Sequence, residues 1–377
     1  MIYFDNAATS FPKPPGVLTA MHSAMLHYGA NPGRGGHDMS IRTAQAVYQV
    51  RESAANLFGM TNPDNVIFTT NCTHSLNTVI QGVLNPGDHV ILSDLEHNSV
   101  TRPVYRLSRQ GVTFDVAQTV PGDDSQTLAA FAKLIRGNTR LIICTHGSNA
   151  FGVRLPVRQL AEMARRAGVL MLVDAAQTAG VLDLSAVEDG FDYLCAPGHK
   201  GLYGPSGTGL MVINSTVMPR PLMQGGTGSF SYEYEQPDFC PDCYESGTVN
   251  TVGIIGLGAG LAYVAARTPK KIYACEMGLV VCIYDALRRN SKVKLYTPPP
   301  RLGESLPVIS FNIKGLTGEQ TAAKLNELGF ALRGGLHCSP LAHQKYGTLE
   351  EGTARISVGS FNTPREAEML CTAIKKL

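Results

Sequence analysis

Two residues with the chemistry of a cofactor site lie close together near the middle of the chain. Asp174 follows the apolar, strand-like run 170–173, and Lys200 lies in the glycine-rich stretch 196–209 (APGHKGLYGPSGTG). A carboxylate can keep a pyridine nitrogen protonated, and a lysine amine can form a Schiff base with an aldehyde. The pair is therefore typical of a site for pyridoxal phosphate, and it predicts an enzyme.

Each of these residues also has an ordinary interpretation. An aspartate at the end of a strand is often a helix N-cap, and a lysine beside glycines is usually solvated. Gln177, one turn past Asp174, and His199, beside the lysine, make the combination more specific. A nucleotide-binding P-loop is excluded, because no G-x-x-x-x-G-K-[ST] sequence occurs and Lys200 precedes its glycine run.

Alternating strand-like and helix-like segments predict the elements that position these residues. Short apolar runs alternate with amphipathic stretches up to about residue 250, and they lie at 66–70, 90–93, 141–144, 170–173, 191–195 and 209–214. This pattern predicts the α/β class, with a mostly parallel sheet covered by helices on both faces. We expect a large domain at 15–260, and a smaller α+β domain formed by 1–14 with 261–377.

Candidate cofactor ligands follow several of the predicted strands, where open parallel sheets bind their ligands. Cys72 and Thr73 precede an amphipathic helix, so Thr73 is either only a helix N-cap or also part of a phosphate site. His97 is either a loop histidine or an aromatic lid over a flat ring. Asn149 is either a turn residue or a hydrogen-bond donor to the cofactor's phenolate oxygen.

Cys338 is the cysteine most compatible with a nucleophile. It ends the segment 333–338 (RGGLHC), and nearby Arg333 and His337 would favour its thiolate. The other eight cysteines are expected to be mostly buried and inert. Cys240 and Cys243 form a single C-x-x-C pair, which is weak evidence for zinc or redox chemistry, and we predict no metal site.

Composition narrows the class of protein and its partners. The chain has 377 residues, 44% hydrophobic and 16% charged, with a net charge of +2 and no polybasic run. These values are typical of a globular protein and indicate neither a nucleic acid nor a membrane as partner. The N-terminal residues do not resemble a signal peptide, and the apolar stretch 253–266 is shorter than a membrane span. We expect reduced thiols and a cytoplasmic location.

The order of motifs along the chain resembles class V, fold-type I pyridoxal-phosphate enzymes of the cysteine desulfurase group, close to the Suf-type branch. The resemblance covers nearly the whole chain. The motifs that carry it are 3–9 (YFDNAAT), 34–37 (RGGH), 96–98 (EHN), 148–152 (SNAFG), 174–177 (DAAQ), 198–200 (GHK), 245–251 (ESGTVNT), 333–338 (RGGLHC) and 352–363 (GTARISVGSFNT). It implies a large domain with a seven-stranded sheet.

The resemblance also implies roles for single residues. Lys200 would carry the cofactor, Asp174 would face its ring nitrogen, and His97 would stack on the ring. Gln177 and Asn149 would lie near the phenolate and the substrate. The residues implied at the phosphate are Thr73, Cys72, His199 and, from the neighbouring subunit of a homodimer, Thr248. Arg355 would bind the substrate carboxylate with Arg333 nearby, and Cys338 would accept sulfur.

Two residues depart from the Suf-type pattern. Pro197 stands where those enzymes usually carry a phosphate-binding serine, and Gly201 adds a residue after the lysine. Both lie beside Lys200 and indicate a divergent subgroup.

The expected activity is removal of sulfur from L-cysteine, which gives L-alanine and a persulfide on Cys338, with a protein as a possible sulfur acceptor. A selenocysteine lyase and a class V aminotransferase use the same lysine and remain alternatives. A non-catalytic scaffold of the same fold is the alternative outside the enzymes.

Overall fold

The structure is a computed structural model that describes residues 1–33 and 35–377. The motif 34–37 lies partly outside the described residues, because it begins at Arg34. The strands are β1 Ile2–Tyr3, β2 Val66–Thr69, β3 His89–Ser93, β4 Thr113–Ala117, β5 Thr139–Thr145, β6 Leu170–Asp174, β7 Tyr193–Pro197, β8 Gly209–Ile213, β9 Val293–Leu295, β10 Val308–Ile313, β11 Phe330–Ala331, β12 Arg333–Gly335 and β13 Thr353–Ser357.

Helices lie between many of these strands. They are α1 Pro15–His27, α2 Asp38–Leu57, α3 Cys72–Val83, α4 Asn98–Ser108, α5 Asp124–Ala132, α6 Val157–Arg166, α7 Thr251–Arg267, α8 Pro269–Leu287, α9 Gly318–Glu327, α10 Pro340–Lys345 and α11 Pro364–Lys376.

The main sheet has seven strands in the order β2-β8-β7-β6-β5-β3-β4. Strand β8 is antiparallel to both of its neighbours, and the pairs from β7 to β4 are parallel. Strands β3, β7 and β8 are buried along their whole length, as strands covered on both faces must be. This sheet confirms the predicted α/β class with a mostly parallel, seven-stranded sheet.

Strand register brings the ends of three parallel strands to one edge of the sheet. Thr145 of β5 lies opposite Asp174 of β6, and Asp174 lies opposite Cys195 of β7. Apolar side chains cover the two faces as separate clusters, with Ile142 on one face and Ile143 on the other. The packed faces leave the carboxyl ends of the strands as the place where polar groups converge.

The last third of the chain forms a second, four-stranded antiparallel sheet in the order β12-β13-β10-β9. Strand β1 pairs with β11, so the N-terminus joins this part of the molecule. A separate apolar cluster that includes Phe311, Ile356 and Leu370 fills it. The predicted domain limits stay a prediction, since α7 passes through residue 260 without a break.

Helix α7 is apolar and packs against α1 and α2. No single helix in the described part of the chain has the length and apolar character of a membrane span. By length and composition α7 and α8 meet that criterion only as a pair, and they are bent by 79° at their junction.

Gly260 sets how closely α7 approaches the segment that follows Lys200. A Cβ atom at this position would lie 2.3 Å from the Leu202 carbonyl oxygen and 2.8 Å from the Gly204 nitrogen. Both are backbone atoms, so they cannot turn away as a flexible side chain could.

We predict that Gly260→Ala lowers the free energy of unfolding by about 1–3 kcal/mol, the usual cost of overpacking. The matched control is Gly278→Ala in α8, where a Cβ would meet no atom within 4 Å. The control should be neutral or stabilising by up to about 1 kcal/mol, since alanine favours a helix over glycine. Thermal unfolding of both variants measures this, and equal melting temperatures would contradict the proposed close contact.

Candidate active site

A cavity of about 230 Å³ lies at the carboxyl edge of the main sheet. This volume is below the range of about 300–1,000 Å³ that is typical of pockets for drug-sized ligands, so the cavity suits a smaller ligand. Most of the predicted site residues line it, namely Cys72, Thr73, His97, Asn149, Asp174, Gln177, His199, Lys200, Arg333 and Arg355. Cys338 and Thr248 are not among the lining residues.

Asp174 and Lys200 place opposite charges in the wall of this cavity. Asp174 is buried at the end of β6, where its Oδ1 accepts from the Ala176 N–H at 2.9 Å. Burial raises the pKa of Asp174 and lowers the pKa of Lys200, and each charge partly offsets the shift of the other. Their nitrogen and oxygen atoms form no ion pair within 4 Å among the described residues. A ligand with a protonated ring nitrogen and a group that bonds to an amine would therefore satisfy both.

The start of α3 offers donors to an anion. The expectation that Thr73 is the N-cap is wrong, because the helix begins at Cys72 and the Asn71 side chain accepts from the His74 N–H at 2.9 Å. Thr73 therefore lies in the first turn, exposed, with its hydroxyl free of any hydrogen bond to the described residues. The free N–H groups of this turn and the helix dipole favour a phosphate group.

His97 is the N-cap of α4, and its ring faces the cavity. The Ser99 N–H donates to Nδ1 at 3.1 Å, which leaves the hydrogen of a neutral ring on Nε2. Burial, and next the charge of Lys200, lower the pKa of His97 to about 4. The ring is therefore neutral at pH 7, which suits stacking on a flat, positively polarised ring.

Asn149 connects the main sheet to the loop that carries Cys338. Its Nδ2 donates to the His337 carbonyl oxygen at 2.7 Å, and its Oδ1 accepts from the Ser339 hydroxyl at 2.6 Å. The predicted bond to a phenolate oxygen would have to use the second Nδ2 hydrogen. Ser339 is a positioning residue that the sequence analysis missed, and only its place beside Cys338 could have indicated it.

The loop that carries Cys338 borders the cavity, since His337 is one of the lining residues and Cys338 follows it. His337 and Cys338 both adopt left-handed backbone angles, with φ of 50° and 58°. The Asn98 N–H donates to the Cys338 carbonyl oxygen at 2.8 Å, and the thiol side chain is exposed. A non-glycine residue in this region costs about 1–3 kcal/mol, so the hydrogen bonds at this loop hold a strained conformation.

Of the two cations expected beside Cys338, only Arg333 supplies a charge. Its Nη2 lies 3.7 Å from the Cys338 sulfur. His337 is buried with Nε2 against Thr353, and burial lowers the pKa of His337 well below its usual value. A neutral, inward-facing imidazole adds packing to the loop and no positive charge.

Arg355 is buried and already paired. Its Nη2 donates to Asp5 Oδ1 at 2.6 Å and its Nη1 to the Asn149 carbonyl oxygen at 3.0 Å, while Nε has no partner among the described residues. Burial lowers the pKa of Arg355, and Asp5 opposes that shift. Asp5, which lies in the motif 3–9, was not predicted as a site residue. Arg333, which has no carboxylate partner within the described chain, is the more available guanidinium.

The remaining predicted residues lie at the edges of the site. Gln177 donates from Nε2 to the Ala7 carbonyl oxygen at 3.2 Å and lines the cavity. Thr248 is exposed and accepts from Asn31 at 3.4 Å within its own chain. Burial raises the pKa of Cys240 to about 12 and also raises that of Cys243, which disfavours their reactive thiolates.

Pro197 and Gly201, the two residues that depart from the Suf-type pattern, make different contacts. Pro197 ends β7 and lines the cavity without a side-chain donor. Gly201 packs against the turn at Ala179, where a Cβ would lie 2.4 Å from the Ala179 carbonyl oxygen. The additional residue is thus accommodated by a backbone contact that only glycine permits.

A mostly parallel, seven-stranded sheet with a buried aspartate and a partly buried lysine at or just beyond its strand ends defines an α/β enzyme of the class V aminotransferase fold. The chain belongs to the aminotransferase class-V family, whose model matches residues 2–370. This is a family of pyridoxal-phosphate enzymes.

Relatives and solved structures match the whole chain. A probable cysteine desulfurase of Pyrococcus abyssi is 33% identical, and one of Methanothermobacter thermautotrophicus is 31% identical; each match covers 100% of this chain and 94% of the relative. The apo structure of a cysteine desulfurase from Thermococcus onnurineus NA1 superposes with a TM-score of 0.91 at 31% identity, covering 100% of this chain and 94% of that one. The Escherichia coli cysteine desulfurase CsdA (S-sulfonic acid) gives a TM-score of 0.87 at 25% identity over 99% of this chain and 94% of that one.

We predict that Ser339→Ala loosens the loop around Cys338. The variant loses the hydroxyl that donates to Asn149, a buried hydrogen bond worth about 1 kcal/mol. Hydrogen exchange of the peptide containing residues 336–340 should become faster. The control is Ser75→Ala, which removes a buried serine hydroxyl that donates to the Leu210 carbonyl oxygen at 3.0 Å. Equal exchange at 336–340 in both variants would contradict this role for Ser339.

Proposed function

We propose that this protein is a pyridoxal-phosphate-dependent cysteine desulfurase that converts L-cysteine to L-alanine and carries the sulfur as a persulfide on Cys338. The observation that supports this most is an exposed cysteine, held in a strained loop beside a cavity that is lined by a lysine and a buried aspartate. The names of the relatives that match along the whole chain agree with this activity.

The residues present fit pyridoxal phosphate. Asp174 would hold the ring nitrogen, Lys200 the aldehyde carbon, and the first turn of α3 the phosphate, with Thr73 and His199 beside it. His97 would cover the ring face, and Gln177 would lie at its edge. When bound, the cofactor supplies a sink for the electron pair that remains when the Cα proton of an amino acid is removed.

Arg333 and Arg355 would bind the substrate carboxylate. Both guanidinium groups line the cavity, and Arg333 also reaches Cys338. A substrate held on Arg333 would thus lie close to the nucleophile. The unpaired Nε of Arg355 offers a further donor, although Asp5 already balances the charge of that guanidinium.

Lys200 would act as the general base. Burial lowers the pKa of its amine, which raises the fraction of neutral amine near pH 7 and therefore its capacity to accept a proton from Cα. Asp174 opposes this shift by favouring the charged lysine, so a cation paired with Asp174 would lower the pKa of Lys200 further and increase the fraction of neutral amine.

Cys338 would then take the sulfur. Its thiolate attacks the sulfur atom of the substrate, the bond between Cβ and sulfur breaks, and that electron pair stays with the carbon fragment. Protonation of the fragment gives L-alanine, and Cys338 retains a persulfide. Overall, L-cysteine and one enzyme thiol give L-alanine and one enzyme persulfide, so atoms and electrons balance.

A homodimer would complete the site. An exposed apolar surface on α1 and α2 supports this proposal. This surface is formed by side chains that are each at least 44% exposed: Leu18, Met25, Leu26, Met39, Ile41 and Tyr48. Exposed apolar side chains of this kind, on two helices that both pack against α7, are typical of a protein interface. In such a dimer Thr248 would face the phosphate site of the partner.

The test is the yield of alanine and sulfide from L-cysteine with dithiothreitol. We expect equal amounts of both products, and a loss of at least about 100-fold in Cys338→Ala, since the nucleophile itself is removed. The control is Cys275→Ala, an exposed cysteine on α8. Full activity of Cys338→Ala would exclude the persulfide role, and transfer of the amino group to a keto acid would instead indicate an aminotransferase.

A further inference from the structure

An apolar groove of about 470 Å³ lies on the outer surface next to Cys338. Phe114 and Val116 of β4, with Leu92 of β3, form its floor. Helix α4 forms one wall, and Pro340 and Leu341 at the start of α10 form the other. The groove is separate from the cofactor cavity, since the two share no lining residue.

The two walls of the groove are formed by elements that lie next to Cys338. Pro340 follows Cys338 by two residues, and the first residue of α4, Asn98, donates its N–H to the Cys338 carbonyl oxygen. A segment lying in the groove would therefore contact Pro340 and α4, which both lie next to residues that contact Cys338. Cys338 is exposed and does not line the cofactor cavity, so an acceptor at the surface can reach it.

Two arginines of α4 and a third at its C-cap make the rim of the groove basic. Arg102, Arg106 and Arg109 follow one another by four and three residues, the spacing of a single helix face. None of them pairs with a carboxylate among the described residues, and the segment 98–109 contains no aspartate or glutamate. Some surface arginines elsewhere do pair, as Arg136 does with Asp115 and Arg288 with Asp285, whereas these three are adjacent on one helix face with no carboxylate beside them.

The apolar floor and basic rim identify the chemistry of the occupant. We propose that this groove binds a protein that accepts sulfur from Cys338, through a segment with apolar side chains flanked by aspartate and glutamate. This proposal rests on the desulfurase function proposed above. Complementary charge would speed the encounter and orient the partner, while the apolar contacts would hold it.

A second copy of the chain is a weaker candidate for this groove. The exposed apolar surface on α1 and α2 lies near β2, which α2 contacts, and β2 forms the opposite edge of the main sheet from β4. A nucleic acid is also less suited, because phosphate binding requires polar donors, whereas the floor of the groove is apolar.

The transfer step itself balances. A thiolate of the bound protein attacks the outer sulfur of the Cys338 persulfide, and the bond between the two sulfur atoms breaks. The acceptor then carries the persulfide, and Cys338 returns as thiolate with the electron pair of the broken bond. No further oxidant or reductant is required.

Binding of designed peptides to the full-length protein tests the groove without any turnover. The first peptide has the length of α4, with leucine on one face and glutamate elsewhere, and the second replaces each glutamate by lysine. By fluorescence anisotropy we expect the glutamate peptide to bind at least about tenfold more tightly than the lysine peptide at low salt, with the difference reduced at high salt.

The variant Arg102→Gln/Arg106→Gln/Arg109→Gln should lose this preference. The control Arg288→Gln/Arg289→Gln/Arg365→Gln removes the same charge from other exposed positions and should keep it. Equal binding of both peptides to the unmodified protein would overturn the proposal. The proposal would also be overturned if the groove variant retained the preference for the glutamate peptide. Tighter competing binding of an RNA oligonucleotide, or a changed oligomeric state of the groove variant, would overturn it as well.

An assay of sulfur transfer to a peptide distinguishes acceptor binding in the groove from the desulfurase activity. With a cysteine added to the glutamate peptide, the groove variant should show a KM for the peptide raised at least about fivefold, while alanine production with dithiothreitol stays unchanged. An unchanged KM would overturn the groove as the acceptor site. Absence of alanine production from the unmodified protein, with peptide binding intact, would count against the desulfurase function alone.

Discussion

The site depends on two opposite charges, a buried Asp174 and a partly buried Lys200, that lie at one edge of the sheet without a direct bond between them. Ions such as Asp174 and Lys200 each cost several kcal/mol to bury, and an attraction across a gap offsets only part of that. The parallel strands impose this arrangement, because β6 delivers Asp174 to the same edge at which β7 ends shortly before Lys200. A ligand with a cationic ring nitrogen and an aldehyde would fill the gap and pair both groups.

Cys338, unlike Asp174 and Lys200, does not lie at or just beyond the end of a strand of the main sheet. The sheet does not position it directly; instead a strained loop is tied back by Asn98, Asn149 and Ser339. His337 of this loop lines the cavity, whereas Cys338 is exposed beside it, so the same sulfur can face the substrate from the cavity and an incoming thiol from the surface. The basic, apolar groove beside α4 begins at this point, so we assign cofactor chemistry to the cavity and sulfur delivery to the surface.

The sequence predicted those features that follow from local pattern. Apolar runs of strand length and the turn residues between them predicted six of the seven strands of the main sheet, and they missed β4, whose residues are mostly only partly buried. The aspartate and lysine near the strand ends predicted the cavity. The N-cap of α3 was misassigned to Thr73, because Asn71 and Thr73 are both good capping residues and only the backbone decides which one is used. The roles of Ser339 and Asp5 depend on contacts between residues more than 180 positions apart, which no local pattern contains.

Pyridoxal phosphate attachment at Lys200 is the central claim, since every proposed step needs a cofactor between this lysine and Asp174. Borohydride reduction of the cofactor-loaded protein, followed by mass mapping of its peptides, measures it most directly. We expect a pyridoxyl group on Lys200, and none on Lys13, whose amine donates to the His199 carbonyl oxygen and lies nearby in the fold. An unmodified Lys200 in protein saturated with pyridoxal phosphate would exclude this lysine as the attachment site.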